Sequence, residues 1–136
     1  MAVVFTVTRK PATTAVIDGV TQRAVTCIQA DWTIDVGVTV NGTTGQYFSG
    51  KVVRCTTVPG APIPTNLYGV AITEAAGAGA DVITALGAGR SNVLVQTIAP
   101  VVSVVSPGFH ILNQQLTFTI TASALNSQGT VYLFIE

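Results

Sequence analysis

Charged side chains are scarce in this sequence. They make up 9% of its 136 residues, whereas about 25% is typical of soluble domains. Six basic residues balance six acidic ones and form no basic stripe, so the sequence lacks the electrostatic footprint of a nucleic-acid-binding protein. A neutral surface with few charges does not repel copies of itself. We therefore expect the protein to form a homo-oligomer or to join a larger assembly.

Residues that carry catalysis are also few. His110 is the single histidine, and its place between Pro107 and Asn113 indicates an ordinary turn or surface residue. Asp31 and Asp35 share one face of a predicted strand at a separation of about 13 Å, which is too far for the carboxylate pair of a retaining glycosidase. The sequence therefore predicts a protein without catalytic residues, metal ligands or cofactors.

Only two cysteines are present, Cys27 and Cys55. Too few other ligands surround them to indicate a zinc site. In a reducing compartment two buried thiols are the expected state. Whether the two could pair depends on the register of the strands that carry them.

Long apolar runs are missing. None approaches the roughly 18 residues of a membrane-spanning helix, because Thr, Ser, Gly or Pro interrupts each of them. The opening Met-Ala-Val-Val-Phe-Thr lacks the basic region of a signal peptide. We expect a cytoplasmic product without membrane partners, in which the sequon at Asn41-Gly42-Thr43 serves turn formation.

Alternation of apolar and polar residues is what the sequence has in abundance. A helix would scatter the apolar residues of the stretch 32–40 around its axis. In a strand one face collects them all: Trp32, Ile34, Val36, Val38 and Val40. We predict that this strand is half-buried with Trp32, Ile34, Val36 and Val38 in the core, and that Asn41-Gly42 forms a type I′ hairpin turn.

The same alternation predicts strands along the rest of the chain. Residues 116–122 and 130–135 suggest a C-terminal hairpin, and the inward positions of the later strands extend the predicted core by Val70, Ile72, Phe118 and Leu133. The prolines of 59–65 remove ladder donors, which indicates a crossover between two halves. We predict one domain over 1–136, an all-β antiparallel β-sandwich or barrel-like sandwich.

Two stretches rich in Gly and Ala, 75–80 and 86–90, flank an expected short strand at 81–84. Neither stretch ends in Gly-Lys-Ser/Thr, as a phosphate-binding loop does. We interpret both as turns. Farther on, 92–98 and 101–105 are predicted as strands.

Some apolar residues fall where assembly contacts are expected. Val4, Phe5, Tyr132 and Phe134 are the predicted contact residues. The segment 1–10 is also a candidate N-terminal arm. It could add as a strand to the sheet edge of a neighbour, or it could pair within its own domain as an edge strand.

Four segments of the second half share a recognisable pattern. Tyr68–Glu74 is a strand that ends in Thr and an acid, and Gly79–Ile83 reads Gly-Ala-Asp-Val-Ile. Leu86–Ser91 is a Gly-rich turn with an Arg, and Gly129–Ile135 is a closing Gly-Thr-Val strand. In these segments the chain resembles small structural proteins encoded among the virion genes of tailed bacteriophages, from which it departs by the extra residues 75–78.

The resemblance implies a virion component without enzymatic activity, assembled in the host cytoplasm. A capsid decoration, cement or minor capsid protein is the leading hypothesis, with the major capsid protein, other virion proteins or copies of itself as partners. A tail or head-to-tail connector component is the close variant. A carbohydrate-binding β-sandwich module is the alternative from another class, because an exposed Trp can stack on sugars. Trp32, however, shares its face with aliphatic residues.

Overall fold

The computed structural model describes residues 2–10, 16–17, 20–21, 24–34, 37–64, 66–75, 80–99, 101–103, 106–107, 109–121 and 126–136. Within these residues no helix is long and apolar enough to cross a membrane. The described strands are β1 (Ala2–Lys10), β2 (Val16–Ile17), β3 (Val20–Thr21), β4 (Val25–Thr33), β5 (Thr39–Thr43), β6 (Phe48–Pro59), β7 (Gly69–Glu74), β8 (Gln96–Ile98), β9 (Val101–Ser103), β10 (Ser106–Pro107), β11 (Phe109–Gln114), β12 (Leu116–Thr121) and β13 (Gln128–Ile135).

Two antiparallel sheets of these strands pack face to face. The larger has the order β1-β4-β13-β6-β11, with β8 also paired to β6, and the smaller has the order β5-β12-β7. Two short ribbons, β2-β3 and β9-β10, complete the described strands. This architecture confirms the predicted all-β antiparallel sandwich.

The core lies between the inner faces of the two sheets. Alternate residues of β4, β12 and β13 are buried there, as period-2 alternation requires. Six residues of the predicted core are at most 4% exposed: Trp32, Ile34, Val70, Ile72, Phe118 and Leu133. Val36 lies outside the described residues.

The predicted strand over 32–40 is divided in two. β4 ends at Thr33 and β5 begins at Thr39 in the other sheet. Gly37 has a φ of 79°, which interrupts the pleat between the two strands, and Val38 lies in the bend before β5 begins. Val38 is 65% exposed, and its predicted place in the core is therefore wrong, while Val40 is buried again.

The predicted turn at Asn41-Gly42 is also wrong. Both residues lie inside β5, where Asn41 pairs with Thr119 and Gly42 with Phe118. A Cβ on Gly42 would lie 2.8 Å from the Cβ of Val3. The glycine thus permits β5 to pass close above β1 where the two sheets meet.

The two cysteines are separated by a strand. Cys27 pairs with Phe134 on one side of β13, and Cys55 pairs with Leu133 on the other. Two strand spacings are about 9.6 Å, beyond the reach of a disulfide bond, and both side chains are thiols. Burial raises the pKa of Cys55 to about 12, with the positive charge of Arg90 opposing the rise.

β12 and β13 do not form the predicted C-terminal hairpin. β12 is the middle strand of the smaller sheet, and β13 lies between β4 and β6 in the larger one. The chain therefore changes sheet between them. It also changes sheet between β6, which ends at Pro59, and β7. Residues 82–87 form turns rather than the expected strand, and β8 covers only the last part of 92–98.

β1 is an edge strand of its own domain. It pairs with β4 in one unbroken register from Ala2 opposite Thr33 to Lys10 opposite Val25. The described residues of the N-terminal segment therefore pair within their own chain, as the edge-strand interpretation expects.

Candidate functional site

Two of the polar residues considered for chemistry, His110 and Asp31, lie on strands that are not neighbours in the sheet. His110 is exposed on β11, opposite Lys51, rather than in a turn. The Asp31 carboxylate accepts hydrogen bonds from Thr130 Oγ1 at 2.7 Å and from Gln29 Nε2 at 3.0 Å. Asp35 lies outside the described residues. The described part of the chain holds no cluster of His, Cys, Asp or Glu suited to a metal ion.

Trp32 is enclosed by its neighbours. Its ring packs against Tyr68 at a centroid distance of 5.8 Å. Gly129 lies opposite it on β13, where an added Cβ would be 2.7 Å from Cζ2 of the indole. A buried indole cannot stack on a sugar at the surface, so Trp32 does not provide the aromatic platform that carbohydrate binding would need.

The four predicted contact residues have different environments. Val4 is 60% exposed on β1. Phe5 is directed to the opposite face, where it is half-buried and packs against Phe118 with a centroid distance of 5.3 Å. Tyr132 and Phe134 are half-buried on the outer face of the larger sheet, where the Arg54 guanidinium lies 4.2 Å from the centre of the Phe134 ring.

A more exposed apolar feature lies in the loop 91–95. Val93, Leu94 and Val95 are three consecutive aliphatic residues, each 62–70% exposed. Ser91 Oγ accepts hydrogen bonds from the backbone N–H groups of Val93 at 3.2 Å and Leu94 at 3.1 Å. Gln96 Oε1 accepts one from the N–H of Ser91 at 2.7 Å. These hydrogen bonds fix the backbone of the loop in a conformation that leaves the three aliphatic side chains exposed to water.

This loop adjoins the segment in which the chain changes sheet. Asn92 Nδ2 donates a hydrogen bond to the carbonyl of Pro64 at 3.3 Å, and the Arg90 N–H donates one to the carbonyl of Tyr68 at 2.7 Å. The adjoining segment has two exposed aliphatic residues of its own, Ile63 and Leu67. We call Ile63, Leu67, Val93, Leu94 and Val95 the apolar loop patch. Exposed apolar groups of this kind mark interaction sites.

Sequence reasoning missed this patch because 92–98 was predicted as a strand. A signal for it was present. Three aliphatic residues in succession, between Asn92 and Gln96, cannot all face the core in a half-buried strand. At least one of them has to be exposed, and the hydrogen bonds of Ser91 expose all three.

Residues 80–90 cover the outer edge of β7 next to the patch. The N–H of Val70 donates to the carbonyl of Gly87 at 2.8 Å, and the N–H of Val82 donates to the carbonyl of Ile72 at 2.7 Å. A Cβ on Gly87 would clash with the carbonyl oxygen of Val70. The glycine is therefore needed for the loop to approach the strand, and the loop supplies hydrogen-bond partners to the backbone at the edge of β7.

Asp81 fixes this covering loop. Its Oδ1 accepts hydrogen bonds from the N–H groups of Ile83 at 3.0 Å and Ile72 at 3.4 Å. Its Oδ2 accepts one from the N–H of Ala85 at 3.2 Å. One carboxylate thus satisfies backbone donors of both the loop and the strand.

Three of the four segments that carry the resemblance to virion proteins belong to this one unit. Tyr68–Glu74 contains β7, Gly79–Ile83 contains Asp81, and Leu86–Ser91 contains Gly87 and leads into the apolar loop patch. These three segments therefore form one strand and the loop that covers it. No family model, no curated protein and no solved structure matches this chain.

Proposed function

We propose that the protein is a non-enzymatic structural component of a tailed-phage virion, a capsid decoration, cement or minor capsid protein, that binds other virion proteins through the apolar loop patch. The observation that carries the proposal is the set of aliphatic side chains held in water on a hydrogen-bonded loop. A tail or connector component would use the same surface in the same way.

Burial of the patch supplies the driving force. A fully buried Val or Leu side chain contributes about 1.5–3 kcal/mol relative to an exposed one. Because Ser91 and Gln96 already hold the loop backbone, less entropy is lost when a partner covers it. The net charge of zero adds no long-range repulsion between the protein and a large particle.

Because the edge of β7 is covered, a partner that binds the apolar loop patch cannot also add a strand to that edge. A bare edge beside the patch would invite strand addition by any extended chain. Residues 80–90 take up the backbone groups of Val70 and Ile72. A partner at this end of the sandwich therefore meets side chains rather than free backbone groups.

The states of two reactive groups, the Asp31 carboxylate and the Cys55 thiol, support a structural role. The Asp31 carboxylate is engaged by Thr130 and Gln29. The Cys55 thiol stays protonated near neutral pH because burial raises its pKa, and a thiol is a far weaker nucleophile than a thiolate.

The test is binding to purified heads and, separately, to purified tails of the phage whose genome encodes this chain. A Val93→Ser/Leu94→Ser double variant removes apolar area from the patch. Leu112→Ser is the matched control, because Leu112 is an exposed aliphatic residue of β11 outside the patch. We expect heads to bind the wild-type chain, the control to bind equally, and the double variant to bind about tenfold to a hundredfold more weakly.

Binding to tails but not to heads would favour the connector or tail variant. A wild-type chain that binds neither particle, or a double variant that binds as well as the wild type, would contradict the proposal. Circular dichroism of each variant checks that the fold is retained.

A further inference from the structure

The sheet edges of the sandwich are protected to different degrees. Within the described residues, the outer edge of β7 is covered by 80–90. The edge strand β11 is interrupted by a register shift between Ile111 and Gln114, with Asn113 at a φ of 51°. β8 has three residues and β5 has five. Covering, bulging and shortening are the means by which proteins prevent unwanted strand pairing.

Among the described residues, β1 shows none of these three protections. It is nine residues long, its register with β4 is unbroken, and it contains no proline. Its outer edge has no backbone hydrogen bond to another described segment. Its two charged residues, Arg9 and Lys10, lie at one end.

The one charged side chain described on β1 does not guard the edge. Arg9 Nη2 donates a hydrogen bond to Gln46 Oε1 at 2.9 Å, and its guanidinium carbon lies 5.7 Å from the centre of the Phe48 ring. Both contacts are within the same chain. The rest of the strand presents a regular row of alternating Val, Phe and Thr side chains.

The strand is complementary to itself. Val3, Phe5 and Val7 are directed to the core side, and Val4, Thr6 and Thr8 to the outer face. Two copies of the chain can be related by a two-fold axis perpendicular to the larger sheet. The smaller sheets of both copies then lie on the same side of the joined larger sheets, so core-side residues of one β1 lie opposite core-side residues of the other. With Thr6 on the axis, Phe5 faces Val7 of the second copy, and aromatic and β-branched pairs of this kind favour strand pairing.

Charge also permits this pairing. In the Thr6-centred register Arg9 lies opposite Val3 of the second copy, so the two Arg9 residues are about 20 Å apart along the strands. That exceeds the Debye length of about 8 Å at physiological salt. The net charge of zero leaves no overall repulsion between copies.

We infer that the outer edge of β1 is a dimerisation site, at which β1 of a second copy of this chain adds in antiparallel orientation and joins the two larger sheets into one. Main-chain hydrogen bonds along the strands give the affinity, and the alternation of side chains sets the register. This inference goes beyond the proposed virion role and does not depend on it.

A charge-swap experiment tests the inference. In a homodimer of the Thr6→Lys variant, or of the Thr6→Glu variant, two like charges face each other across the axis. In a heterodimer of one Lys and one Glu variant, opposite charges face each other. Thr97→Lys and Thr97→Glu are the matched controls, because Thr97 is an exposed threonine of the same sheet on β8. Sedimentation over a concentration series measures the dissociation constants, and native mass spectrometry of the mixture counts heterodimers.

We expect the wild-type chain to dimerise and each Thr6 variant to dimerise about fivefold more weakly. The Lys and Glu variants mixed together should form heterodimers in preference to either homodimer, whereas the Thr97 variants should behave as the wild type. A wild-type chain that stays monomeric at millimolar concentration would overturn the inference. So would a dimer that the Thr6 charges do not affect.

Discussion

Asp81 is the residue whose replacement tests the covered edge of β7 most sharply. Its carboxylate accepts three backbone hydrogen bonds, two from the covering loop and one from Ile72 of the strand. Asp81→Ala removes all three at once. Asp81→Asn keeps one oxygen, which can still accept the hydrogen bonds of the Ile72 and Ile83 N–H groups, but it loses the negative charge. Its NH₂ group takes the place of Oδ2 and cannot accept the hydrogen bond of the Ala85 N–H.

The magnitude follows from the number and kind of bonds lost. A hydrogen bond to a charged group contributes about 1.5–3 kcal/mol, and the half-exposed position of Asp81 brings each bond towards or below the lower end of this range. We expect Asp81→Ala to lower the free energy of unfolding by about 2–4 kcal/mol and Asp81→Asn by about half as much.

Urea unfolding at equilibrium measures both changes, and hydrogen exchange locates them. The amides of Ile72 and Ile83 should exchange faster in Asp81→Ala, while those of Phe118 and Leu133 in the core should report only the global loss of stability. A variant within 0.5 kcal/mol of the wild type, or an Asn variant as unstable as the Ala variant, would refute this account of the loop.

Two further pairs of substitutions test the way the chain passes between the sheets. Val38→Asp should change the free energy of unfolding by less than about 0.5 kcal/mol, whereas Val40→Asp should cost several kcal/mol or prevent folding, because only Val40 is buried. Thermal unfolding of the two variants measures the difference. Equal effects would contradict the break at Gly37. Gly42→Ala should cost about 1–3 kcal/mol through its approach to Val3. The control Gly45→Ala, where a Cβ meets nothing within 4 Å, should be nearly neutral in the same assay.

Within each strand, alternation predicted the buried face correctly. Trp32 in β4 and Ile34 directly after it, Val70 and Ile72 in β7, and Phe118 in β12 are all buried. This succeeded because the period of 2 is a local property of a pleated strand with one side in the core. The all-β class followed from it.

Which sheet each strand joins was not predictable in this way. The stretch 32–40 looked continuous, but the positive φ of Gly37 divides it between two sheets. Asn41-Gly42 has the residues of a hairpin turn, yet its glycine serves the close approach to Val3. Such choices depend on contacts distant in sequence, which override local turn preference.

The candidate site was predicted least well, for a related reason. Val93, Leu94 and Val95 have a high strand propensity, so the segment was predicted as a strand. The hydrogen bonds of Ser91 and Gln96 that form an exposed loop there are not evident from that propensity. The Gly-rich stretch around Gly87 was predicted as a turn, but its role in covering β7 depends on a strand beginning 18 residues earlier in the chain, at Gly69.

Electron microscopy of the intact phage particle tests the central claim most directly. We predict density for the sandwich at the surface of the particle, with the apolar loop patch in contact with a neighbouring virion protein and Val93, Leu94 and Val95 buried in that contact. Density in which the patch faces solvent, or a purified particle that contains no copy of this chain, would contradict the account.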